Sequence, residues 1–318
     1  MKTRMLKMKK NLLLLLTVLA LVLCLASAAN AEASLTAPFP AGTAEAGLAA
    51  RIAETLGLDY TPEDEGADIS VARADAANRM LAEPGTLLCD TQAALMTGLQ
   101  GYTNEDLRTA MSPVCRIARC PLYLVMDAGA AGEKGIADGE SFLAYLAENE
   151  YDDSLLLARH VEADPSDRAS VFLSDELPLL TDVFWPKDIP EILRTGDAAL
   201  AVYTEAELNG AAQEDLVVLF ALGSERTGTR PEIPAVTEAG LAACPEPALY
   251  LMVKAGEDQA LLDETAQKIS RADLSDACLS AGFVFDPLTG DSLAEEITAA
   301  FADYRDYMTA EGLYFYEQ

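Results

Sequence analysis

Histidine is almost missing from this sequence of 318 residues, where His160 is the one example. A histidine-based metal centre is thereby ruled out, and a Ser-His-Asp or Cys-His catalytic site would have to use that residue. Tryptophan is as scarce, with Trp185 alone, and aromatic residues make up only 7% of the chain. Basic residues number 22 against 52 acidic ones, for a net charge of −30. A field of that sign repels nucleic acid and anionic membrane surfaces, so neither is an expected partner. A small anionic ligand would need locally positive backbone dipoles to overcome it. Of the six cysteines none is spaced as CxxC, which removes zinc ribbons and thioredoxin-like redox sites. No G-x-S-x-G elbow, Walker-type loop or complete G-x-G-x-x-G fingerprint occurs. The expectation is a protein that is not an enzyme and takes no cofactor or metal.

What the chain does have begins with a basic start, Lys2, Arg4, Lys7, Lys9 and Lys10, ahead of an apolar run over residues 12–25. That run falls short of the ~20 residues that cross a bilayer, and it ends in small residues, so residues 1–31 read as a cleavable export signal. Ala29-Asn30-Ala31 puts the mature start at Glu32, with cleavage after Ala26-Ser27-Ala28 as the alternative. Cys24 is a third option, as a lipidation site, but Leu23 stands where a lipobox has a small residue. Cys89, Cys115, Cys120, Cys244 and Cys278 remain, an odd number that leaves at least one thiol unpaired. Cys244 with Cys278, or Cys115 with Cys120, are the pairs left open in an oxidising compartment. The mature length suits two lobes of about 100–150 residues each.

Strand, loop and helix then alternate. A strand over 35–39 precedes the turn-like Pro40-Ala41-Gly42-Thr43 and a helix over 45–56 stopped by Gly57. Further strands are expected at 69–72, 86–89, 122–126, 155–158, 198–202, 217–222 and 250–253, with helices between them. Such alternation argues for parallel sheets covered on both faces. Thr204 with Glu207, and Ser292 with Glu295, have the spacing of capping boxes. Leu293, Ile297, Phe301, Tyr304 and Met308 recur on one face of the last helix as a core stripe. No internal repeat is visible. Small residues in Pro40-Ala41-Gly42-Thr43 would let a ligand approach the backbone, and the helix start behind them offers free N–H groups and a dipole to an anion. An ordinary tight turn is the competing reading.

Several segments together resemble the substrate-binding proteins of tripartite tricarboxylate transporters, the Bug family of extracytoplasmic receptors. Pro40-Ala41-Gly42 with Ala53-Glu54-Thr55-Leu56-Gly57 resembles the family's PAGG loop and helix, and Pro84-Gly85-Thr86-Leu87-Leu88 its DGYTLL strand. Leu219-Phe220-Ala221-Leu222, Arg226, Pro231-Glu232-Ile233-Pro234 and Glu238-Ala239-Gly240 follow its strand, arginine, P-[DE]-[VI]-P and E-x-G succession. The resemblance implies an α/β, type II periplasmic-binding-protein fold: two lobes, two crossovers and a cleft that closes on ligand. It implies lobe 1 over 32–126, lobe 2 over 127–248, and a return to lobe 1 over 249–318. The implied role is capture of a small carboxylate outside the cytoplasmic membrane, periplasmic or at the cell surface, by a monomer that delivers it to membrane permease subunits. A signalling receptor and a surface protein that kept the fold but lost its ligand are the alternatives.

The site residues the resemblance implies are Phe39, Pro40, Ala41, Gly42, Thr43 and Thr91 from lobe 1, and Arg159, His160, Trp185 and Tyr203 from lobe 2. Thr43, Ala46 and Ala50 replace the family's second Gly, Asp and Arg, and Ala199 replaces a common Asp. Trp185 lies near a family Tyr, with a core aromatic as the other reading.

Overall fold

A computed structural model describes residues 33–161 and 164–312. The expected export signal, its expected cleavage positions and Cys24 lie outside the described residues. Among the described residues eleven strands build two sheets. They are β1 (Ser34–Thr36), β2 (Asp59–Tyr60), β3 (Thr86–Thr91), β4 (Met111–Arg119), β5 (Leu122–Asp127), β6 (Leu157–His160), β7 (Thr181–Phe184), β8 (Leu200–Thr204), β9 (Leu216–Ala221), β10 (Ala248–Lys254) and β11 (Val284–Leu288). Lobe 1 carries the order β11-β4-β10-β3-β1-β2, and lobe 2 the order β7-β6-β8-β5-β9.

Each sheet is mixed, which corrects the expectation of parallel sheets. β1 runs parallel to β2 and β3, while β10 is antiparallel to both β3 and β4. Lobe 2 repeats the logic: β6 is parallel to β7 and β8, and β5 is antiparallel to both β8 and β9. In each sheet the strand that has just crossed from the other lobe, β10 or β5, is reversed between two neighbours, and in lobe 1 the edge strand β11 is reversed against β4 as well. A repeat of topology is thus present that the sequence hides. β5 belongs to the second sheet, so the first crossover is Cys120-Pro121, upstream of the boundary expected at 126. The second runs from Ala221 to Ala248, and the two lie side by side, with Cys120 N–H donating to Pro247 O at 2.7 Å.

Apolar side chains fill both faces of the lobe 1 sheet. Leu35, Cys89, Ile117 and Leu251 face the helices Ala44–Leu56 and Gln259–Arg271. Leu88, Tyr250 and Met252 face Met80 of the helix Ile69–Ala82 and Leu293 and Ile297 of the C-terminal helix Asp291–Ala310. Full burial stabilises each such side chain by about 1.5–3 kcal/mol. The five described cysteines are all buried and unpaired, so neither expected bridge forms, and burial raises the Cys115 and Cys244 thiols to about 12.

Three local expectations change. Residues 69–72 open a helix, because Ile69 and Val71 lie on its exposed side and no neighbour strand pairs there. Ser292 does not form a capping box, since the last helix starts at Asp291 behind Gly290. β4 escaped the sequence reading because Pro113 interrupts it, and Pro113 sits at a register shift against β10, beyond the reach of β11.

The C-terminal helix is also a fastening. From lobe 1 it reaches the lobe 2 helix Pro165–Glu176 through Arg168 to Asp303 at 2.7 and 3.1 Å and Tyr307 to Asp167, and Glu311 at its C-terminal end accepts from Arg159 of β6 at 2.8 Å. Tyr307 and Met308 pack with Met96 and Leu99 beneath these pairs. On the other flank of the crossovers Gly282 of lobe 1 lies against Ala206 of lobe 2. Among the described residues, no helix is long and apolar enough to cross a membrane.

Candidate functional site

In an open α/β sheet ligands bind beyond the carboxyl ends of parallel strands. Here β1 and β3 end toward lobe 2, and β6 and β8 end toward lobe 1, so their loops form the two walls of a cleft. Gly42, at φ +85°, turns the chain after β1, a conformation that other residues rarely take. Thr43 is the N-cap of the next helix: its Oγ1 accepts from Ala46 N–H at 3.1 Å and donates to Pro40 O at 2.9 Å. The loop is further tied by Ala41 N–H to Glu63 O at 2.8 Å. Phe39 is a core residue. The Thr43 proton and the Ala41 amide are thus spent within lobe 1, and Glu45 sets a carboxylate on the first turn of the same helix. Thr91 ends β3, and its hydroxyl accepts from Ala93 N–H at 3.3 Å.

His160 ends β6 and is buried. Its Nδ1 lies 2.6 Å from Asp164, the N-cap of Pro165–Glu176, whose other oxygen accepts from Asp167 N–H at 2.8 Å. Burial works against charge on the imidazole, but Asp164 first, then Glu207 and Asp167, outweigh it and raise its pKa above the usual 6.5. Thr204 ends β8 and forms the expected capping box with Glu207, at 3.2 Å to its N–H and 2.7 Å back to its carboxylate. The Glu207 carboxylate stands within the fields of His160 and Asp164. Desolvation there raises its pKa.

Since folding raises the His160 pKa above its unfolded value, the stability it contributes is complete below about pH 6.5 and is lost as pH climbs through the raised folded value. With one histidine in the chain, its imidazole proton resonance should titrate with a midpoint above 6.5, and Asp164→Asn should lower that midpoint. A parent midpoint below 6.5 would contradict the pairing.

The other expected residues are not brought to this wall. Arg159 turns to the opposite face of β6 and clamps Asp167 with two bonds of 2.9 and 3.1 Å. Tyr203 is buried in the lobe 2 core, which raises its pKa to about 12. Trp185 follows the edge strand β7 and is 54% exposed, so it is not a core aromatic. Arg226, singled out with Glu238, is a loop staple: two bonds of 2.7 Å join the pair, a third from Arg226 reaches Pro231 O at 2.9 Å, and Arg226 lowers the Glu238 pKa to about 2.

Sequence reasoning missed the residues that line the seam between the lobes. A cavity of about 410 Å³ opens there, bounded by Gln92, Arg119, Arg168, Glu246, Asp303 and Tyr304. Gln92 could have been found, as it follows Thr91 at a strand end. Glu246 stands between Pro245 and Pro247 in the second crossover, a rigid setting for an acid. Arg168 carried no signal. Beside the cavity Cys120 lies within the field of Glu207, Glu246, Glu45 and Glu205, which with burial raises its pKa.

The strand order, the reciprocal crossovers and the interlobe cleft are those of the two-lobed periplasmic-binding-protein fold. The chain is similar to a TctC solute-binding protein from Polaromonas, with a TM-score of 0.67 and 15% identity over 87% of this chain and 97% of that one. It is similar to Rpa4515 from R. palustris, solved with adipate, at a TM-score of 0.65 and 14% identity over 88% and 97%. MatC from Rhodopseudomonas palustris, solved with bound malate, gives a TM-score of 0.60 and 17% identity over 86% and 97%. No protein-family model and no curated protein matches the sequence.

Proposed function

We propose that this chain is an exported solute-binding protein, which captures a small organic acid between its lobes and delivers it to the permease of a tripartite tricarboxylate-type transporter. One observation carries the reading: nearly the whole chain adopts the two-lobed fold of TctC-type binding proteins, down to a polar cleft at the carboxyl ends of its parallel strands. The role is binding without turnover, in which ligand contacts favour the closed arrangement over the open one. The protein works as a monomer outside the cytoplasmic membrane. The export signal and the acidic, soluble surface support that placement.

The test is a thermal-shift screen of residues 32–318 against organic acids, amino acids and amides. A ligand at about 100 times its Kd adds roughly 2.7 kcal/mol, readily seen as a raised Tm. Silence across the panel from folded protein would end the solute-binding reading.

A further inference from the structure

We propose that the segment Leu313-Tyr314-Phe315-Tyr316, which lies outside the described residues, covers an apolar patch on lobe 2 and so straps the end of the lobe 1 helix Asp291–Ala310 across the lobe boundary.

The patch follows from strand register. β6 and β7 pair in parallel with Arg159 opposite Val183, so these two side chains share one face of the lobe 2 sheet. The pairing continues from Val161 N–H to Phe184 O at 2.8 Å, and the alternation of an extended chain puts Val161 and Trp185 on the same face. There the helix Pro165–Glu176 packs over β6 and β8. It leaves the β7 side open, with Val161 44% exposed, Val183 48% and Trp185 54%. Three large apolar side chains gathered in water favour a cover.

One cover is already tied to the margin of the patch. Glu311 accepts from Arg159 Nη2 at 2.8 Å, and Gly312, at φ +72°, ends the helix and turns the chain. The next four residues are a leucine and three aromatics, in a sequence with only 7% aromatic residues. Val183 stands one strand spacing, ~4.8 Å, from Arg159, and Trp185 lies two residues, ~6.6 Å, further along. Four extended residues span about 13 Å, enough to cross both. Aromatic rings that reach Trp185 gain from offset or edge-to-face contact. A second copy of the chain is the less favoured cover, because it would bring a net charge of −30 against an equally charged surface.

Trp185, the lone tryptophan, reads the patch directly. The test compares the fluorescence of residues 32–318 with that of a chain ending at Gly312 and of Phe315→Ser, which keeps the full length, each checked for an unchanged far-ultraviolet dichroism spectrum. Both changes should move the Trp185 emission to longer wavelength and increase its quenching by acrylamide. Equal emission and quenching in the three proteins would overturn the proposal. So would protection of Trp185 that rises with protein concentration in the chain ending at Gly312, since a second copy would then be the cover.

Discussion

Replacing Asp167 with alanine should lower stability by about 3–5 kcal/mol, with the loss near the lower end of that range. Asp167 is 3% exposed at its side chain and accepts from Arg159 Nε, Arg159 Nη2 and the Tyr307 hydroxyl at once. Its removal strands Arg159, itself only 15% exposed, and leaves the Tyr307 O–H without an acceptor. Glu311 still holds one arm of Arg159, which is why the lower end applies. The same substitution unfastens the end of the C-terminal helix from lobe 2, so amide exchange over its last turns should accelerate. Urea titration followed through the fluorescence of Trp185, the lone tryptophan, reads the midpoint. An unchanged midpoint, with the exposed Glu238→Gln variant as reference, would show that this triad does not hold the lobes.

Gly282→Ala should be the second severe change. Gly282 has φ +77°, and an added Cβ would meet the N and Cβ of Ala206 at 2.6 Å and its Cα at 2.8 Å. Backbone cannot swing aside as the end of a side chain does. Left-handed strain adds about 1–2 kcal/mol, and overpacking typically about 1–3 kcal/mol. Gly256→Ala carries a positive φ of 97° but has open space around it, so it bears the strain without the clash. The difference between the two variants isolates the contact. Because the clash lies between lobes, it can be relieved by opening them, and small-angle scattering should show a larger radius of gyration for Gly282→Ala. Equal behaviour of both variants would mean that the lobes do not press together at this point.

The parts of the fold that were readable are those set by near neighbours. Thr204 and Glu207 announce a helix start because both partners lie within one turn. The polar loop after β1 and the stop at Gly57 are equally local. Ile69 and Val71 misled for the same reason in reverse: β-branched residues suggest a strand, but burial of Ala72, Ala76 and Met80 on the other side of a helix decided the matter. Pro113 concealed β4 because its place at a register shift exists only once β10 has arrived from far along the chain. The seam cavity was the least legible feature. Its charged lining joins Arg119 and Arg168 to Glu246 and Asp303, and nothing short-range marks those positions as neighbours. Arg159 looked like a ligand contact until its acceptors, Asp167 and Glu311, showed it to be spent.

The reciprocal crossing of strands has a consequence for assembly. All five strands of the lobe 2 sheet lie in one uninterrupted stretch, from Leu122 to Ala221, so that sheet can close as soon as this stretch is free. Lobe 1 is different, because β10 must slot between β3 and β4 and stands beyond the whole of lobe 2. In a chain synthesised N-terminus first, β3 and β4 would each present an unpaired edge until residue 254 emerges. The half of the molecule made first is therefore the half completed last, and its exposed edges are where a holding chaperone would be needed during synthesis.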